Sequence, residues 1–418
     1  MVPLAPGENM DIDPNKLTLN YGDTFAVLDR WGDVRNLGER HQGLFYKGCR
    51  YLSWWEISLA GQRPELLSST VREESDCLSA DMTNAQMTVN GVVLPRGSIH
   101  IGRLKFLKNG ECYERVIVQN FTPEPIEAPL SVDFRSNFHD IFELRGFERR
   151  SPRGETATGS DQGLFKLSYR GADGIERVLR IEFPEDWTLV SAGSFQRKVN
   201  LPPHGRFEFQ YRIALSQGGE SIPPPNHDKA LKELELRVKG EKELIADVVT
   251  PNSLFNHWVN RSKLDLVTLL CDVGSYKYPF AGVPWYNTIF GRDGLITALQ
   301  CLLFAPSIAR NVLLYLADHQ AKEDDPLFDA EPGKILHEVR GGELVNIGEV
   351  PFKHYYGSVD STPLFVWLAG LYGQRTNDLD LIEKIWPNLE RALHWIDRFG
   401  DCDGNGFVEY QKNPNTVS

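Results

Sequence analysis

Cysteine is scarce in this chain and never clustered. Cys49, Cys77, Cys112, Cys271, Cys301 and Cys402 lie far apart, with no CxxC and no Cys/His spacing that would hold zinc. A chain of 418 residues needs no disulfide staples, so free and mostly buried thiols are expected. Long apolar runs are missing as well. No window reaches about 18 uninterrupted apolar residues, so no membrane span is indicated. Positive charge is in deficit, with 45 Lys and Arg against 57 Asp and Glu and a formal net charge of −12. This argues against a nucleic-acid backbone as partner and suits a neutral substrate. Residues 1–15, MVPLAPGENMDIDPN, have neither a basic n-region nor an apolar h-region. No secretory leader is read there, and a cytoplasmic location is expected. There is no GxSxG elbow, Walker loop, HExxH or GxGxxG after a strand, so those chemistries lack support. Neither a metal nor a cofactor is expected.

What remains is the composition of a globular protein, too long for one ordinary core, and two domains are expected. Residues 16–217 carry short runs of period two, among them TFAVLDRWGDVR, YLSWWEISLAG, SIHIGRLKFL, CYERVIVQNF and RFEFQYRIAL. Asn90-Gly91, Asn109-Gly110 and Asp173-Gly174 punctuate them as hairpin turns, because these residues tolerate positive φ. About a dozen strands without a helical pattern predict a β-sandwich over residues 1–220. The segment GSIHIGRLKFLKNGECYERVIVQNF reads as paired strands, polar on one face. GGESIPPPN at 218–226 breaks the pattern, and residues 221–250 read as a linker with a short helix.

From residue 251 the period becomes 3.6 and predicts about five helices. Asn252 is a candidate N-cap, Pro306 a first-turn proline and Gly400 a C′ residue. Residues 323–357 form a long insertion, of the kind that is usually functional in a compact domain.

The chemistry concentrates in loops. Residues 281–299, AGVPWYNTIFGRDGLITAL, run from an aromatic, Gly/Pro-rich loop into an amphipathic helix, with Arg292-Asp293 at the junction. Trp285 and Tyr286 offer ring faces to a sugar, and a charged fork takes neighbouring hydroxyls directionally. The plain alternative is that Asp293 caps its helix and Arg292 pairs locally. HEVRGGEL places Glu338 between His337 and Arg340, either a hydroxyl grip or a solvated cluster. YYGSVDSTP repeats the aromatic-plus-carboxylate pattern with Tyr355, Tyr356, Ser358 and Asp360, although Asp360 could serve only its helix. DCDGNGFVEY opens like a calcium loop, but Lys412 stands where the bidentate Glu is required, so a tight turn presenting Glu409 and Tyr410 is expected. His257 and His394, on amphipathic helices, read as packed or rim residues.

Taken in order, these words resemble the bacterial amylo-α-1,6-glucosidase (glycogen-debranching-enzyme-like) family, relatives of the glucoamylase-type inverting glycosidases. The carriers are YGDTFAVLDRWGDV with GLFYKGCRYLSWWEISLAG, then GVPWYNTIFGRDGLITALQ, KILHEVRGGEL, GEVPFKHYYGSVDSTPLF and DGNGFVEY. The resemblance implies an N-terminal β-sandwich followed by an (α/α)6 barrel, of which residues 251–418 would supply about five of twelve helices. It implies an α-glucan or oligosaccharide substrate. Arg292 and Asp293 would hold the terminal ring, Trp285 and Tyr286 would line the pocket, and Glu338, Tyr356 and Asp360 would add contacts. Glu409 would lie next to the general acid's loop. In relatives that loop continues into an Asn-Gln-Gly-Trp-Lys-Asp-Ser type segment, whereas here QKNPNTVS follows Tyr410. General acid and base are therefore expected beyond Ser418, in a missing C-terminal half, and the chain alone is expected to be inactive. Uncovered helix faces would then favour self-association.

Overall fold

The computed structural model describes residues 15–35, 41–72, 76–161 and 163–409. The leader reading at the N-terminus, and the readings of Tyr410, Lys412 and the final segment, lie outside them. Two compact units divide the chain between Val238 and Lys239.

In the N-terminal unit every strand pairing is antiparallel. One sheet of eight strands runs in the order Glu155–Asp161, Leu164–Arg170, Glu176–Glu182, Arg206–Gln217, Glu111–Asn120, Ile99–Lys108, Leu78–Thr83 and Glu65–Val71. A five-stranded sheet is centred on Ile126–Arg135, between Ser194–Leu201 and Trp54–Leu59. Their inner faces meet through aromatics. Trp55 of the smaller sheet donates its indole N–H to the Tyr211 hydroxyl of the larger one at 2.8 Å, and Phe195 stacks on Phe183 with centroids 4.5 Å apart. The predicted sandwich is therefore present. A second five-stranded sheet and a capped helical turn, Ile141–Leu144, add to it. Asn90 and Gly91 both adopt positive φ in the two-residue turn joining Met87–Val89 to Val92–Leu94, as a hairpin of this hand requires.

The hairpin of Ile99–Lys108 and Glu111–Asn120 pairs as read, with Lys108 opposite Glu111. Its polar side chains, however, do not all face water. Period two puts Ile99, Ile101, Arg103, Lys105 and Leu107 on one face, and all five are buried. Arg103 spans Glu114 and Asp33, the latter at 2.5 Å. Lys105 donates to the Gly32 carbonyl at 2.5 Å and sits 3.0 Å above the Trp55 ring. Glu114 also accepts from the Tyr211 hydroxyl. Two cations and two carboxylates thus satisfy one another inside the sandwich, which is what makes their burial tolerable.

Helix His227–Glu243 buries Ala230, Leu234 and Val238 at four-residue spacing. His227 lies edge-on to Phe106 and Tyr113, and burial, with Arg115 nearby, pulls its pKa down to about 4 against Asp228 and Glu208. His139 is pulled down to about 4 by burial and by Arg153, Arg50 and Arg149. The unfolded chain therefore binds more protons than the folded one between these values and 6.5. Stability is present above that window and lost as pH falls through it, by about 3 kcal/mol for His227 alone. Thermal melts from pH 7 to pH 4 check this, and His227→Gln is expected to flatten the profile.

In the second unit Asn252 caps Ser253–Leu269 by accepting from the Phe255 N–H at 3.1 Å. Helices Gly291–Cys301 and Pro306–Asp318 pack on each other and on Ser361–Thr376, which packs on Leu379–Trp395. Pro306 occupies the first turn of its helix. Leu295, Ala298, Val312, Leu313, Phe365, Leu368 and Ile385 form the core between them. All five predicted helices are present, with one further short turn, Glu343–Asn346. The last helix does not end as expected. It widens into a π turn, Ile396–Gly400, and Gly400 is not left-handed. A Cβ there would fit tightly, 3.2 Å from Val408 and 3.4 Å from Trp395. Among the described residues no helix is long and apolar enough to cross a membrane. Cys49, Cys77, Cys112 and Cys271 are buried, as expected, whereas Cys301 is half-buried and Cys402 exposed.

Candidate functional site

The loop before helix Gly291–Cys301 is fixed by its own backbone. Gly282 and Tyr286 exchange N–H···O bonds at 3.0 and 2.8 Å, around a cis Val283–Pro284 bond. Ile289–Phe290 then pairs with Glu338–Val339, and Glu338 pairs on its other side with Tyr355. This three-way pairing draws the loops of residues 281–290, 337–340 and 352–360 together, although they are far apart in sequence.

Two glycines make the approach possible. The Gly291 N–H donates to the His337 carbonyl at 2.7 Å, and a Cβ at Gly291 would lie 1.9 Å from the Leu336 oxygen. At Gly294 a Cβ would lie 2.3 Å from the buried Tyr278 hydroxyl, which itself donates to the Phe290 carbonyl at 2.9 Å. Gly291→Ala is expected to lower stability by about 1–3 kcal/mol, because the backbones must part. A melting temperature equal to that of the parent chain would contradict this.

Arg292 and Asp293 fall in the first helical turn. The helix has no side-chain cap, so Asp293 does not act as one, and its side chain is exposed. Arg292 Nε lies 2.7 Å from Asp360 Oδ2, and both side chains remain about two-fifths exposed, at 42% and 39%. Asp360 is held from behind by the Ser358 hydroxyl at 2.5 Å, which also contacts Ser361 Oγ at 2.9 Å. Asp360, like Asp293, makes no capping bond to its helix. The pair presents a guanidinium and a carboxylate side by side to solvent.

Glu338 is different. It is buried against Arg340, whose Nε donates to it at 2.9 Å, while Arg340 Nη1 donates to the Trp285 carbonyl at 2.8 Å. Arg340 also lies 5.0 Å over the Phe290 ring. Glu338 and Arg340 thus brace the aromatic loop. Tyr286 is half-buried, edge-on to Phe290 at 5.7 Å. Trp285 is half-buried too. Tyr356 donates its hydroxyl to the His319 carbonyl at 2.8 Å, which anchors the loop that carries Asp360.

His337 lies within electrostatic reach of Glu338, Arg292, Asp360 and Asp293. Burial, with Arg292, pulls its pKa below the ordinary value against the three carboxylates. Its Nδ1 is buried without a hydrogen-bond partner among the described residues. A neutral imidazole with an unused nitrogen can serve a hydroxyl.

Glu409 lines a small polar cavity of about 20 Å³, room for roughly one water. Ser358, Lys334, Glu331 and Trp395 share its wall. Trp395 donates to Glu331 at 2.7 Å and Lys334 to the Asp329 carbonyl at 2.9 Å. Lys334 was not among the candidates, and its place in the KILHEVRGGEL word was the available signal. Asp401 Oδ2, Asp403 Oδ1 and Asn405 Oδ1 accept from the turn's own N–H groups. His257 and His394 are exposed, away from the helix cores.

Residues 19–212 match the family model of the N-terminal domain of (some) glycogen debranching enzymes. Among solved structures, the chain is similar to a protein described as a kojibiose phosphorylase from the human microbiome. The identity is 9%, the TM-score 0.56, and the match covers 90% of this chain and 56% of that one. A bacterial glucoamylase complexed with acarbose aligns at 11% identity and TM-score 0.46, over 90% of this chain and 61% of that one. The chain therefore spans little more than half the length of these proteins. No curated protein is a significant match by sequence. Residues 19–212 thus form a domain of the kind that opens (some) glycogen debranching enzymes, and the chain as a whole shares its fold with the phosphorylase.

Proposed function

We propose that the loop cluster of the second unit holds the terminal glucosyl ring of an α-glucan or oligosaccharide. In the whole protein it would serve an inverting, amylo-α-1,6-glucosidase-like hydrolase. The observation that carries this reading is the Arg292–Asp360 pair at 2.7 Å, half-open to solvent, with the exposed Asp293 next to Arg292 and His337 within electrostatic reach. Arg292, Asp293 and Asp360 take ring hydroxyls as charged, directional partners. Trp285 and Tyr286 supply ring faces, braced by Glu338 through Arg340. Tyr356 positions the Asp360 loop, and Glu409 lines the small polar cavity that Ser358 shares.

Inversion needs one carboxyl group to protonate the leaving oxygen and a second to activate water. Asp360 is paired with Arg292 in the open, an arrangement for gripping hydroxyls, whereas Glu338 is spent on Arg340. The acid and base are assigned to residues outside this cluster. The present chain is therefore expected to bind α-glucans and to release no glucose from them. Glucose release from a branched dextrin, assayed enzymatically, tests this. Turnover that needs no added chain and disappears in Asp293→Ala would overturn it and make a carboxylate of the cluster catalytic. Binding without turnover would equally suit a non-catalytic carbohydrate-binding protein, and only the whole protein's activity separates the two.

A further inference from the structure

The loop that carries Asp360 is anchored beside a pair of histidines. Helix Pro306–Asp318 ends on His319, whose Nδ1 lies 2.8 Å from the Tyr315 carbonyl. The His319 ring stacks on Tyr315 with centroids 4.1 Å apart, and its carbonyl accepts the Tyr356 hydroxyl at 2.8 Å. Two residues before Tyr356, the exposed His354 ring lies parallel to His319, at 11° and 6.1 Å. Two imidazoles thus face each other next to the bond that fastens the loop.

Imidazoles gain protons as pH falls below about 6.5. Neutral rings stack without penalty, whereas like charges about 6 Å apart disfavour the doubly protonated pair about 10-fold. The surroundings give little relief. Partial burial, His319 and Lys353 all pull the His354 pKa below its ordinary value. Asp318, next to His319, is engaged by the Tyr276 hydroxyl. The hairpin at residues 325–330, whose Phe328 carbonyl accepts the Tyr356 N–H at 2.9 Å, brings Asp325 and Asp329. Asp325 accepts from the Leu327 N–H at 3.1 Å, and Asp329 lies 3.9 Å from the Lys334 ammonium. Lys322, Glu323 and Asp324, before the hairpin, are exposed.

We propose that His319 and His354 form an acid-opened latch, in which protonation of both parts the rings and loosens the Tyr356 tie. Tyr355 stays paired with Glu338, so the loop slackens without detaching. The consequence, which rests on the sugar reading of the loop cluster, is a grip that holds oligosaccharide at neutral pH and weakens in acid.

Hydrogen exchange of residues 352–360 in the intact chain, at pH 7.5 and pH 5.2 and corrected for the intrinsic rate, tests the latch without any sugar. The parent segment is expected to open about 10-fold more often at pH 5.2, and His354→Gln to lack this change. His337, His139 and His227 titrate in both proteins, so only the difference between them counts. An equal change in both, or none in the parent, would overturn the inference. Maltotriose affinity is expected to fall about 10-fold over the same interval in the parent and less in the variant. Absence of binding at pH 7.5 would sink the sugar reading, and the exchange result would still decide the latch. Should the variant not fold, the parent's His319 and His354 ring C–H signals decide. Coupled titration, with steps about one pK unit or more apart, is expected, and two independent curves would overturn the latch.

Discussion

Glu114→Ala is expected to lower the stability of the N-terminal unit by about 3–5 kcal/mol. Glu114 is 1% exposed and answers three groups at once: Arg103, Lys105 at 3.3 Å and the Tyr211 hydroxyl. Removing it leaves two buried cations with Asp33 as the nearest compensating charge, and the desolvation already incurred is not recovered. Burial, with Arg103 beside it, pulls Lys105 down to about 8 against the opposing pull of Glu114, so its ammonium is only just held in the parent chain. The Tyr211 hydroxyl, which ties Trp55 to the opposite sheet, loses its acceptor as well. Urea unfolding followed by tryptophan fluorescence measures the loss. A change below about 1 kcal/mol would mean that water reaches the group. Replacing Arg103, Lys105 and Glu114 together by Leu, Met and Leu is expected to be milder, because the one buried carboxylate left, Asp33, keeps Arg63 at 2.8 Å.

Arg292→Ala is expected to weaken oligosaccharide affinity about 10–100-fold, the worth of one or two hydrogen bonds to a charged group. Asp360→Ala should do the same. The double variant should lose less than the sum, since the two side chains touch and position each other. Neither change should move the melting temperature much, because a pair this open contributes little to folding. Glu338→Ala is the useful contrast. It strands Arg340 in a buried place and should cost stability as well as affinity. A fall in affinity for Arg292→Ala only in step with a fall in stability would reassign the pair to structure.

Much of this arrangement was legible from local signals. Asn252 as a cap, Pro306 in a first turn and Arg292-Asp293 at a loop-to-helix junction each depend on residues within a turn of one another. The failures share a cause. Alternation told which residues of the Ile99–Lys108 hairpin share a face, but not that the face carrying Arg103 and Lys105 turns inward. Their partners, Asp33 and Trp55, lie far earlier in the sequence. Arg340 looked like part of a surface cluster because its acceptor, the Trp285 carbonyl, is 55 residues away. Gly400 reads as a left-handed helix stop, yet it closes a π turn packed near Trp395 and Val408, which local spacing does not show.

Calorimetric titration of the chain with maltotriose, in parent and Asp360→Ala forms of equal melting temperature, bears most directly on the loop cluster as a sugar grip. Saturable binding by the parent, weakened at least about 10-fold in the variant, is the expected result. Equal affinity in both forms, or no binding by the parent, would contradict it.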